Sequence, residues 1–210
     1  MTQANPGHVQ AIVTAITAHS TPLRVIAAIA GQPASGKSTL AAAVVSRLNA
    51  SKPGAAALVP MDGFHLDNSI LEERGLRARK GAPQTFDVHG LIATIERLRA
   101  NEEDVYVPVF DRERDIAIAN ARCVPSSCPI VVVEGNYLLL DEPPWSRLGS
   151  LFDLTVRLHS DINLLKERLI RRWLDNGLAE NDAWTRTKSN DLPNALLVSE
   201  NSAPAQINLE

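Results

Sequence analysis

The chain has few of the residues that would place it in several large protein classes. Of its 210 residues two are cysteines, Cys123 and Cys128. That is too few for a disulfide framework, and their spacing is not that of a zinc site. They read as ordinary thiols of a reducing compartment. Aromatic residues make up 4% and methionine contributes two positions. The excess of basic residues that marks a general nucleic-acid surface is also missing, because the formal net charge is −3. No apolar run approaches the roughly 18 residues of a membrane span. The N-terminus lacks the basic-then-apolar layout of a secretion signal. The expectation is a cytoplasmic protein without a nucleic-acid or membrane partner. Hydrophobic residues at 45% and charged residues at 21% are ordinary globular chemistry, enough for one domain over 1–210 with a substantial core.

What the chain does contain is Gly31-Gln-Pro-Ala-Ser-Gly-Lys37-Ser38, which fits G-x-x-x-x-G-K-[ST]. The apolar run Val25–Ala30 precedes it, and an alanine-rich stretch with helical spacing follows from Thr39 to Leu48. Strand, loop and helix in that order are the context a phosphate-cradling loop requires. Gly31 and Gly36 allow the backbone to curl until successive N–H groups converge on one anion. Lys37 reaches the outer phosphates, and the Ser38 hydroxyl suits Mg²⁺. The expected nucleotide-binding set is Gly31, Ala34, Ser35, Gly36, Lys37, Ser38 and Thr39.

Pro6–His19 reads as an amphipathic helix. Strand candidates recur at Val25–Ala30, Ala57–Met61, Val105–Phe110, Ile130–Glu134, Leu154–Leu158 and Leu196–Ser199. Helical periodicity fills Val88–Ala100 and Asp161–Leu174 between them. Alternation of this kind predicts a parallel sheet wrapped on both faces. The stretch Asp67–Phe86, with Arg74, Arg77, Arg79 and Lys80, reads as an exposed loop or small excursion with a solvated charge run. Trp145, Trp173 and Trp184 read as packing residues.

Ligands of open α/β sheets gather at the carboxyl ends of the strands. Three predicted strands end there in a carboxylate: Asp62, Asp111 and Glu134. Phosphoryl transfer needs a phosphate cradle, a metal, a proton acceptor and nearby cations. Asp62 is the candidate base, and Glu134 with Ser38 the candidate metal pair. Arg168 and Arg172, four residues apart on one helix face, are candidate catalytic cations on a lid spanning about 161–190. His65 and Arg112, which follow the second and third strands, join Asp62 as candidate acceptor-binding residues.

These segments together resemble the kinases that include phosphoribulokinase, uridine kinase and bacterial pantothenate kinase. The resemblance rests on Met61-Asp-Gly-Phe-His65, Arg79-Lys-Gly-Ala-Pro-Gln-Thr-Phe-Asp87, Pro108-Val-Phe-Asp111, Val133-Glu-Gly-Asn136 and Asn190-Asp-Leu-Pro-Asn-Ala195. It implies an α/β P-loop NTPase sandwich of three layers, with a mostly parallel sheet of five or six strands. It also implies ATP with Mg²⁺ as donor, an alcohol group on a small molecule as acceptor, and Asp62 as base. The small kinases that accompany bacterial fructose transport are the most similar in pattern, and point to a sugar acceptor. A nucleoside or pantothenate acceptor is the alternative, and a homodimer is left open. A GTPase would need Asp-x-x-Gly after a strand and an Asp where Thr187-Lys-Ser-Asn190 has Asn190. A nucleotide-binding sensor would have less need of the intact Lys37, Ser38, Asp62 and Glu134.

Overall fold

The computed structural model describes residues 4–19 and 24–210. Helix α1 (Pro6–Ala18) starts at Asn5, whose Oδ1 accepts the Gly7 N–H at 2.9 Å. Strand β1 (Val25–Gly31) leads into the loop, and α2 (Lys37–Ser51) leaves it. Strand β2 (Ala56–Pro60), short helix α3 (Asn68–Glu73) and helix α4 (Val88–Ala100) follow. Strands β3 (Val105–Asp111), β4 (Ile116–Val124), β5 (Ile130–Gly135) and β6 (Leu154–Leu158) come next. Helices α5 (Ile162–Asp175) and α6 (Glu180–Arg186) run into a π-helical turn, Thr187–Asp191. Helix α7 (Leu192–Glu200) and strand β7 (Ile207–Leu209) complete the order.

Five strands form one parallel sheet in the order β2-β5-β1-β6-β7. All seven residues of β1 are buried, as a central strand covered on both faces requires. Its side chains alternate between two cores. Ile26, Ala28 and Ala30 pack with α4 through Leu91, Ile95 and Leu98. Val25, Ala27 and Ile29 pack with α1 and α2 through Ile12, Ile16, Leu40 and Val44. The result is the expected three-layer sandwich. Arg24, 2% exposed, ties the start of β1 to the layer beside it. Its guanidinium donates to the Cys128, Leu98 and Pro125 carbonyls at 2.8, 3.0 and 2.6 Å.

Three expectations need correction. Val105–Phe110 is a strand, but it pairs with β4 in a separate antiparallel hairpin and not in the main sheet. Asp115, at φ 55°, helps turn that hairpin, and β4 was hidden by its run of small residues. Leu196–Ser199 lies inside α7, because Leu192-Pro-Asn supplies a helix start with proline in the first turn. Strand β7 is three residues long and too short to show in the pattern. Finally, the 67–87 excursion is not simply a solvated charge run. Its Lys80 is 7% exposed and donates to Asn68 Oδ1 at 2.7 Å and to the Asp115 carbonyl at 2.8 Å. The buried ammonium fastens the excursion to the hairpin. Among the described residues no helix is long and apolar enough to cross a membrane.

Candidate active site

The loop after β1 is shaped by close approach. A Cβ on Gly31 would lie 2.6 Å from the Leu158 carbonyl oxygen, so only glycine lets β1 and β6 run this near. Gly36, at φ 96°, caps α2 in the left-handed region, which costs glycine nothing. Ala34 adopts φ 63° without that freedom, a strained position of the kind found at ligand clamps. Lys37 begins α2 and is 9% exposed.

Strand β5 ends beside the loop. Glu134, 5% exposed, accepts a hydrogen bond from Ser38 Oγ at 3.0 Å on Oε2. Burial pushes the Glu134 carboxyl above its ordinary range, although Lys37 nearby favours the charged form. Burial lowers the Lys37 ammonium in turn, opposed by Glu134 and Asp62. A Cβ on Gly135 would meet Met61 Cβ at 2.5 Å, so the end of β5 packs directly against the residue before Asp62. The chain after β2 therefore delivers Asp62 to the same cleft as Lys37.

Asp62 Oδ2 accepts from Arg112 Nη2 at 2.6 Å. Burial raises the Asp62 carboxyl, but Arg112, His65 and Lys37 together outweigh it and hold the group below the usual carboxylate range. His65 is wedged between Phe86 and Phe110, with ring centroids 4.1 and 4.6 Å away. Its imidazole is lowered mainly by burial, partly offset by Asp62, and is neutral at pH 7. Its Nδ1 lies 2.7 Å from the Asp62 carbonyl, which assigns the proton to that nitrogen.

Lys37, Ser38, Asp62, His65, Arg112 and Arg172 line one cleft of about 300 Å³. A second cleft of about 780 Å³ lies across the loop, lined by His8, Leu40, His159, Leu164 and Arg168. Ala34, Gly36 and Thr39 border both. The loop thus forms a shared wall between the two clefts.

Residues 25–183 match the model of the phosphoribulokinase/uridine kinase family. The chain belongs to that family. It is 36% identical over 189 residues to YggC, an uncharacterized protein of Escherichia coli K12, covering 89% of this chain and 78% of that one. It is 34% identical over 197 residues to a provisionally named uridine kinase of Schizosaccharomyces pombe, covering 89% and 83%. A crystal structure from Silicibacter sp. TM1040, provisionally named a fructose transport system kinase, superposes with a TM-score of 0.90. It is 42% identical and covers 96% of this chain and 98% of that one. The family's members are ATP-dependent kinases acting on hydroxyl groups, and this chain carries their fold and phosphate loop.

The structure brings together most of the residues expected from sequence, but divides the two lid arginines. Arg172 lines the cleft that holds Lys37 and Asp62. Arg168 donates to the Ala34 and Ser35 carbonyls at 3.3 and 3.4 Å and borders the second cleft. Arg168 and Arg172 lie one turn apart on α5 but border different clefts, which share Ala34, Gly36 and Thr39 of the loop. Asp111 pairs with Arg114 at 2.8 Å at the end of the hairpin and does not line the cleft. Trp173, Arg186, Asp191 and Asn194 do line it. Sequence spacing passed over all four as lining residues because three short elements separate them. The quoted Asn190–Ala195 segment was the one available signal.

Proposed function

We propose that the protein transfers the γ-phosphoryl group of ATP to a hydroxyl of a small sugar resembling fructose. One observation carries the choice of a sugar over a nucleoside. Phe86 and Phe110, the aromatic rings of this cleft, are already packed against His65, with ring planes tilted 42° and 35° to the imidazole. A nucleobase would find its stacking platform occupied, within a cleft of about 300 Å³ that must also admit the terminal phosphate. A small polyhydroxyl compound needs hydrogen-bonding edges instead, and Asp62 and Arg112 supply them. The provisional name of the Silicibacter structure agrees with this choice.

In this reading Lys37 and the loop N–H groups hold the β- and γ-phosphates. The pair of oxygens beside the loop also suits Mg²⁺. Ser38 Oγ and Glu134 Oε2 converge at 3.0 Å and are hard oxygen donors, so Ser38 would ligate the ion and Glu134 its waters. Bound there, the ion neutralises charge on the phosphates. Asp62, ionised at neutral pH, accepts the acceptor's hydroxyl proton as oxygen attacks phosphorus. Arg112 leaves Asp62 for the acceptor or the incoming phosphoryl oxygens, and Arg172 faces the migrating group.

The test is ADP release across ketoses, aldoses, polyols, uridine, cytidine and pantothenate, with Lys37→Ala as control. Sugar-dependent release that Lys37→Ala abolishes is the expected result. Release that depends on pantothenate or a nucleoside alone, with no response to any sugar, refutes the acceptor assignment. Turnover by Lys37→Ala close to wild type refutes the role of the loop.

A further inference from the structure

Around Trp173 the structure assembles a cluster of which the mechanism above uses Arg172 alone. The indole N–H of Trp173, near the end of α5, donates to Asp191 Oδ2 at 2.6 Å. The Arg186 guanidinium carbon stands 4.2 Å from the centroid of the Trp173 ring, and that of Arg172 stands 5.5 Å away. Three elements meet there: α5 supplies the ring, α6 ends in Arg186, and the π-turn that follows ends in Asp191. Arg172, Trp173, Arg186 and Asp191 line the same cleft as Lys37 and Asp62.

Arg186 is notable for what it has not found. Among the described residues it forms no ion pair, and its buried Nε lacks a hydrogen-bond acceptor. Leaving a buried donor unsatisfied is costly, and such groups are retained where a ligand completes them. Stacking on an indole fixes the guanidinium plane while leaving its N–H edge free, the arrangement suited to forked binding of phosphate oxygens. The π-turn directly after Arg186 is a local departure of the type that accompanies functional sites. By contrast Arg168 is committed to the loop carbonyls of Ala34 and Ser35.

We infer that Arg186 is a second phosphoryl-binding catalytic arginine, aimed by the Trp173–Asp191 bracket at the equatorial oxygens of the transferring group. The inference rests on the kinase reading of this cleft. It replaces Arg168 with Arg186 as the partner of Arg172. Trp173 and Asp191 are positioning residues, since they act through the guanidinium.

The test uses the full chain and calorimetric binding of two probes: MgADP, and MgADP with aluminium fluoride, which mimics the planar phosphoryl group. A contact made mainly in the transition state should move the second probe and spare the first. Arg186→Ala should keep MgADP affinity within about threefold and lose the tightening by aluminium fluoride by roughly 30-fold or more. Arg186→Lys keeps the charge but not the planar fork, and should lose about tenfold. Trp173→Phe keeps a ring face without the N–H and should lose a smaller part of the tightening. Thermal melts check folding, and the Lys variant carries the test should the Ala variant not fold. Wild-type tightening in Arg186→Ala overturns the inference, as does an equal loss with both probes, which would make Arg186 a uniform nucleotide contact. Should the wild type itself show no tightening and Lys37→Ala bind MgADP unchanged, the kinase reading of the cleft falls and this inference with it.

Discussion

Replacing Asp62 with asparagine removes the group that we propose takes the acceptor's proton. The substitution preserves volume, and one amide oxygen can still accept from Arg112, now paired at 2.6 Å. With that oxygen turned to Arg112, the amide NH₂ faces the acceptor, so a donor meets the hydroxyl where a base is needed. Loss of a positioned general base costs about 10²–10⁴ in kcat. That range corresponds to roughly 3–5 kcal/mol in the barrier. Lys37 keeps its other carboxylate neighbour, Glu134, so KM for ATP should change by no more than about threefold. The assay is coupled ADP release at saturating MgATP with the sugar that the wild type accepts. The pH profile gives an independent check. Arg112, His65 and Lys37 hold the Asp62 carboxyl below its ordinary range against the effect of burial. The base is therefore ionised at neutral pH and stays so as the pH falls through the usual carboxylate range. At saturating Mg²⁺ the limb of the wild-type kcat profile that belongs to Asp62 should fall below that range, and any residual Asp62→Asn rate should lack it. A collapse of ATP affinity with kcat preserved would refute the argument and move Asp62 to the nucleotide or metal site.

Other substitutions separate the remaining roles. Glu134→Gln should raise the Mg²⁺ concentration needed for half-maximal activity by roughly 10–100-fold while leaving Mg²⁺-free ATP binding little changed. Equal losses in both would take Glu134 out of the metal site. Arg168→Ala should raise KM for ATP more than it lowers kcat, because its contacts are the Ala34 and Ser35 carbonyls, whereas Arg172→Ala should act mainly on kcat. The reverse pattern, read from steady-state kinetics, would contradict the division of the two arginines. Arg24→Met orphans the carbonyls of Cys128, Leu98 and Pro125. At about 1 kcal/mol for each carbonyl the loss is about 3 kcal/mol. At this chain length that lowers Tm by roughly 6–12 °C. A shift under about 2 °C would mean that water replaces the guanidinium.

The sequence by itself determined the phosphate loop, the sandwich around it and the placement of Asp62 and Glu134 at strand ends. These are legible because they are local: a motif, a hydrophobic period and the residue that follows a strand all lie within a few positions. Val25–Ala30 and Ile130–Val133 announce buried strands by composition alone. Periodicity cannot say which strand pairs with which, so Val105–Phe110 was placed in the wrong sheet. Only tertiary structure removed it to a hairpin and so brought Arg112 onto Asp62. It also buried Lys80, because Asn68 and Asp115, far apart along the chain, converge on one ammonium. The separation of Arg168 from Arg172 had the same origin, since a spacing of one helical turn does not reveal which cleft each side chain borders. Trp173, Arg186 and Asp191 come from three consecutive elements, and their spacing follows no single helical period. Their meeting is set by the π-turn and the packing of α5 against α6, which depend on contacts distant in sequence.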